Sequence, residues 1–194
     1  NQFNEYPITV AIKNTNFEII DAILNFYGDD IQLNVWMYNE IMQSVSKFFS
    51  IGHLPERKMW NILKRILRIK SIDPNYNDSF LYKACHNNDI EMVDFLLKLD
   101  KIDVNKHYYQ NGNTPFMAAV MNNHINLVKL LIEFPKTNIN FRNYNNETAL
   151  TIAVTKKHKE IINLLINDKR FEPKESRLNF AFYESFGKIS TQLS

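Results

Sequence analysis

The chain has 194 residues, of which 45% are hydrophobic and 23% charged, and its net charge is +2. That balance supports a buried core and a soluble surface and is not the signature of intrinsic disorder. The small charge makes no electrostatic case for nucleic acid, and no apolar run reaches the roughly 20 residues that span a bilayer. Cys85 is the single cysteine, so an intrachain disulfide and a thiolate metal site are both excluded and a reducing, intracellular, cytoplasmic setting is expected.

Residues 4–35 form the first expected helix pair. Pro7 stands at a first helical position, where a missing N–H costs nothing. Ala11 follows as a small packing residue, positions 17–24 place apolar residues at helical spacing, and Gln32-Leu33-Asn34 closes the unit. Residues 36–75 repeat this order less clearly. A first helix is expected over about 39–50, with Phe48 where a small residue belongs, then Gly52-His53, an insertion over 54–58, and a second helix over about 58–69. That second helix opposes the cations Arg57, Lys58, Lys64, Arg65, Arg68 and Lys70 to an apolar stripe of Met59, Ile62, Leu63, Ile66, Leu67 and Ile69. A basic amphipathic helix can meet an acidic surface; the reading preferred here is a solvated outer face.

The next three units, 76–110, 111–145 and 146–175, carry the repeat most plainly. Ser79, Thr114 and Thr148 lie 35 and 34 positions apart, each where a hydroxyl would cap a helix by accepting from an orphan N–H. Ala84, Ala119 and Ala153 come five positions later, small enough for close helix approach. Asn88-Asp89, Asn123-His124 and Lys157-His158 mark the turn, and Met92-Val93, Leu127-Val128 and Ile161-Ile162 open the apolar run of the second helix. Neither helix of a pair can bury its apolar face alone, so stability must come from stacking. A final helix over 178–186, within a cap at 176–188, ends the expected stack.

These features resemble ankyrin repeats, with Thr114-Pro115-Phe116, Asn123-His124 and Asp103-Val104-Asn105 as the closest fits. The glycine of the family's Gly-His pair is replaced by Asn88, Asn123 or Lys157, and the turn through Lys98-Leu99-Asp100-Lys101-Ile102-Asp103 is one residue longer than usual. The bias toward Asn, Ile, Lys, Phe and Tyr is that of an AT-rich, protist-like genome. The resemblance implies an all-α solenoid of about five stacked helix-turn-helix repeats plus a C-terminal capping helix, making one domain over 1–194.

The same resemblance implies a non-enzymatic scaffold that holds a protein partner in a concave groove, as a monomer, with no cofactor, no metal, no nucleic acid and no membrane. Two alternatives stand beside it: an ankyrin segment of a larger multidomain protein, such as an enzyme or ligase adaptor, and a parasite effector. No HExxH, GxSxG, Walker loop or GxGxxG motif is present. His124, His158 and His53 fall at the family's structural histidine, and Cys85 reads as a buried apolar residue. Partner contacts are expected from fingers between repeats, through Trp36, Tyr38, Tyr108, Tyr109, Arg142 and Tyr144, because Tyr, Trp and Arg dominate binding hot spots. The first helices should add His86, Asn87, Met121, Asn122, Thr155 and Lys156.

Overall fold

The computed structural model describes residues 7–14, 17–27, 43, 57–69, 73–75, 80–108 and 110–172. Trp36, Tyr38, Tyr109, the caps at Ser79 and over 176–188, and the first helix expected in 36–75 lie outside the described residues. Among the described residues every regular element is an α-helix: α1 Pro7–Lys13, α2 Phe17–Tyr27, α3 Arg57–Arg68, α4 Phe80–His86, α5 Ile90–Leu97, α6 Pro115–Met121, α7 Ile125–Glu133, α8 Ala149–Lys156 and α9 Lys159–Ile166. The chain divides into two compact units, residues 1–106 and 107–194, and each is described by itself.

In the first unit α1 packs on α2, α2 on α3, and α4 on α5. Ile62, Leu63, Ile66 and Leu67 recur on one face of α3 and are all buried, as helical spacing of a single apolar stripe requires. The opposite, basic face is not simply solvated. Arg65 donates to Asp21 Oδ1 at 2.7 Å and to Asn25 Oδ1 at 2.8 Å, both on α2. Lys64 pairs with Glu91 on α5, and the Arg68 guanidinium lies 5.4 Å from the Phe95 ring centroid. Lys64, Arg65 and Arg68 therefore fasten α3 to the second helices α2 and α5. Exposed pairs of this kind are each worth only about 0–1 kcal/mol, but they occupy Lys64, Arg65 and Arg68 among the cations that suggested an acidic ligand.

In the second unit α6 pairs with α7 and α8 with α9. The first helices α6 and α8 pack side by side, as do the second helices α7 and α9. Thr114 and Thr148 are the N-caps of α6 and α8. Thr114 Oγ1 accepts from Met117 N at 3.2 Å. Thr148 and Thr151 form a reciprocal capping box, Thr148 N donating to Thr151 Oγ1 at 2.7 Å and Thr151 N to Thr148 Oγ1 at 3.3 Å. Ala118, Ala119, Ala149 and Ala153 have no exposed surface, so the small residues do sit at the closest helix contacts.

The departures from the family's Gly-His pair have a clear backbone cause. Asn88, Asn123 and Lys157 all adopt left-handed conformations, with φ of 60°, 58° and 61°. Asparagine tolerates that region through local hydrogen bonding, whereas a lysine there is strained. The residue that follows begins the second helix. Asp89 accepts from Met92 N at 2.9 Å, and burial pushes its carboxyl above the ordinary range. His158 Nε2 instead lies 3.4 Å from the carbonyl oxygen of Met121, a tie back to the preceding pair that accords with a structural histidine.

Asparagines also bridge successive turns. Asn75 donates to the Lys101 carbonyl at 2.7 Å and accepts from Asp103 N at 2.7 Å. In the second unit Asn140 donates to the Arg170 carbonyl at 2.7 Å and accepts from Glu172 N at 3.4 Å. Arg170 closes the same turn, donating to the carbonyls of Ile132 at 2.6 Å and Thr137 at 3.3 Å while pairing with Asp168 at 2.8 Å.

Candidate functional site

Two tight fingers precede α6 and α8. In the first, Tyr108 N donates to the Asn113 carbonyl and Gly112 N to the Tyr108 carbonyl, both at 2.8 Å. In the second, Asn143 N donates to the Glu147 carbonyl at 3.0 Å and Asn146 N to the Asn143 carbonyl at 2.9 Å. Gly112 and Asn146 hold equivalent left-handed corners, with φ of 72° and 61°.

The fingers are tied together by Asn143. Its Nδ2 donates to Asn113 Oδ1 at 2.7 Å and to Glu147 Oε2 at 2.8 Å. Its Oδ1 accepts from Asn145 N at 3.0 Å and Glu147 N at 2.8 Å. An amide side chain offers two donors and one two-lone-pair acceptor, so this one is saturated. Tyr144 N adds a second cross-finger bond to the Asn111 carbonyl at 3.2 Å.

That framework presents an aromatic cluster. Tyr144 is 62% exposed, yet its ring is held from behind: a Cβ placed on Gly112 would lie 2.6 Å from Tyr144 Cδ1. The His107 ring meets Tyr144 edge-on at 5.7 Å and stacks on Phe141 at 5.8 Å. Beside it, half-buried Arg142 donates to the Asn146 carbonyl at 3.1 Å. Tyr108 is only 7% exposed, so its side chain serves packing and offers little surface to a partner.

The first-helix positions differ in what they present. Met121 and Asn122 are half-buried at the end of α6, and Asn122 Nδ2 turns inward to the Ala118 carbonyl at 2.9 Å. Thr155 and Lys156 are exposed on α8, the Thr155 hydroxyl donating to the Thr151 carbonyl at 2.9 Å. In the first unit His86 and Asn87 are half-buried, with His86 Nδ1 3.4 Å from Asn87 Oδ1. The second unit thus brings Arg142 and Tyr144 to one finger and Thr155 and Lys156 to the helix that this finger leads into.

Sequence reasoning assigned no role to His107, although it precedes Phe141 by one repeat length of 34. Residues in equivalent finger positions stack, and that register was the available signal. Exposed Lys157 beside Lys156 was read only as a turn residue. Over residues 141–157 the formal charges are Arg142, Lys156 and Lys157 against Glu147, whose carboxylate already accepts from Asn143. On the second-helix side a groove of about 430 Å³ opens between α7 and α9, lined by Ile132, Leu164, Lys129, Glu133, Glu160 and Asp168; there acids outnumber bases.

Nucleophilic chemistry finds no support at Cys85. It is fully buried, and burial pushes its thiol far up from the ordinary value, so the thiolate is suppressed. Among the described residues no group of three or more His, Cys, Asp or Glu side chains could hold a metal ion, and no helix is long and apolar enough to cross a membrane.

Comparison with known proteins now adds to this geometry. A family model described as ankyrin repeats (3 copies) matches residues 56–143 and 81–176, ranges that together span more than half of the chain. No curated protein matches it.

Proposed function

The chain belongs to the ankyrin-repeat family, whose repeats are protein–protein interaction modules, and from that premise we propose that it is a non-enzymatic scaffold holding a protein partner against its fingers and first helices. In the second unit the contact set is Tyr144 and Arg142 on the finger, with Met121, Thr155 and Lys156 beyond it. His86 and Asn87 hold the corresponding register in the first unit. The observation that carries this reading is the exposed Tyr144 ring on a finger whose backbone is fixed by Asn143 and Asn111. A preordered tyrosine supplies contact area at low conformational cost.

The test is affinity capture from a lysate of the source organism with the full chain, read by mass spectrometry and repeated with variants. Tyr144→Ala should weaken capture by ~2 kcal/mol or more, the scale of a true hot spot, without lowering the melting temperature. Asn163→Ala, on the exposed second-helix side, should leave capture intact. The reverse pattern would place the partner on the α7–α9 groove and sink the proposal.

A further inference from the structure

Resting on that reading, we infer that the second unit is built to take an acidic, extended protein segment, with an apolar side chain against Tyr144 and a carboxylate at Lys156. The inference joins three observations. The first is the exposed Tyr144 ring backed by Gly112 and flanked by His107. The second is charge. Arg142, Lys156 and Lys157 surround the finger and the end of α8, while the carboxylate of Glu147 is engaged within the finger by Asn143. The third is the contrast with the groove between α7 and α9, whose lining carries Glu133, Glu160 and Asp168 against Lys129; Lys129 is paired with Glu160 at 2.9 Å and Asp168 with Arg170 at 2.8 Å, which leaves the charge of Glu133 in excess. The two sides of the unit therefore differ in the sign of charge they offer.

The second finger leads directly through Thr148 into α8, and Lys156 ends that helix, so the finger and the cation belong to one continuous segment. Thr155 lies one helical turn beyond Thr151 on the same face of α8, and both side chains are small, which leaves room for a backbone to pass.

Nucleic acid is the rival for an aromatic beside cations. Single strands need a groove of positive charge that tracks the backbone together with several stacking rings. Among the described residues of this unit the exposed rings are Tyr144 and His107, His107 is stacked on Phe141, and the cations sit on the finger and at the far end of α8. A peptide with one anchor and one acidic patch fits that layout better.

The experiment pans a phage-displayed library of random 12-residue peptides on the full chain. Enriched peptides are then synthesised with a fluorescein label and titrated by anisotropy. The expected pool is net negative, each peptide carrying an aromatic or aliphatic residue together with a carboxylate. Tyr144→Ala should weaken the best peptide at least tenfold. Lys156→Gln should weaken it by about fivefold, the affinity equivalent of one surface charge pair, and the Lys156→Gln effect should vanish in high salt. A pool without acids that still needs Tyr144 would overturn this inference and leave the proposed function standing. A pool that needs neither residue would overturn both. An unenriched library overturns the inference alone, and so does an oligo-dT 20-mer that binds more tightly than the best peptide.

Discussion

Gly112→Ala is the substitution on which stability and recognition meet. Gly112 has φ of +72°, and a Cβ there would lie 2.6 Å from Tyr144 Cδ1, 2.8 Å from Tyr144 Cγ and 2.8 Å from Tyr144 N. Two costs add. Holding an alanine in the left-handed region costs ~1–2 kcal/mol, and overpacking a well-filled contact costs typically ~1–3 kcal/mol. A smaller gain of ~0.4–1 kcal/mol comes from the stiffer unfolded chain. The net loss should be about 2–4 kcal/mol. The ring can swing away, but Tyr144 N is fixed by its bond to the Asn111 carbonyl at 3.2 Å, so the backbone clash persists. Urea titration followed by circular dichroism measures the loss, and adding Tyr144→Ala should recover about 1 kcal/mol of it by removing the ring carbons. A Gly112→Ala variant within 0.5 kcal/mol of the parent would refute the reasoning. Asn146→Gly is the control: it shares the left-handed corner and should change stability by less than about 1 kcal/mol.

Three further outcomes follow from single features. Lys157→Gly relieves a left-handed lysine with φ of 61° and should stabilise by ~0.5–1 kcal/mol, read as a raised urea midpoint; a lowered midpoint would count against the strain argument. Thr137 buries its hydroxyl without a hydrogen-bond partner among the described residues, so Thr137→Val should be stabilising by about 1 kcal/mol, and a destabilised variant would show that the hydroxyl has a partner in solution. The hydrogen bond from Arg170 holds the Asp168 carboxyl below the ordinary range. Its contribution is therefore complete above about pH 4 and lost as pH falls through the lower folded-state value. Asp168→Asn should remove that acid limb, with the gap to the parent widest at neutral pH and closing as the pH falls below the ordinary carboxylate range; a gap that stayed constant with pH would refute it.

Caps, small residues and apolar spacing were readable from the chain because each acts locally. Thr114 and Thr148 cap because a hydroxyl at that offset reaches an orphan N–H, and Ala119 and Ala153 are buried because nothing larger fits between neighbouring first helices. The fate of the basic face of α3 was not readable. Arg65 reaches Asp21 and Asn25 across 44 and 40 positions, and no periodicity within α3 encodes that. Tyr108 misled for a similar reason. A tyrosine near a finger tip looks like an anchor, but exposure depends on which way the backbone of the finger turns, and that is set by the backbone bonds of Tyr108 N to the Asn113 carbonyl and of Gly112 N to the Tyr108 carbonyl rather than by the tyrosine side chain. The three left-handed turn residues were legible as departures from the family, and only the backbone showed that glycine's conformation had been kept without glycine.

The finger separates the residues that hold shape from those that face outward. Asn143 uses all its hydrogen-bonding capacity on Asn113, Asn145 and Glu147, so the finger needs nothing from the Tyr144 side chain to keep its backbone. Lys156 likewise ends α8 without any role in the capping box at its start, and Thr155 contributes only a bond to its own helix. Substitution at these exposed positions can therefore alter recognition at little cost to the fold. Asn143 has the opposite character: truncating it would leave Asn113 and two backbone N–H groups without their partner and release both fingers together. Under the proposed function, the aromatic surface rests on a complete polar network, and the affinity assigned to Tyr144 depends on an asparagine no partner needs to touch.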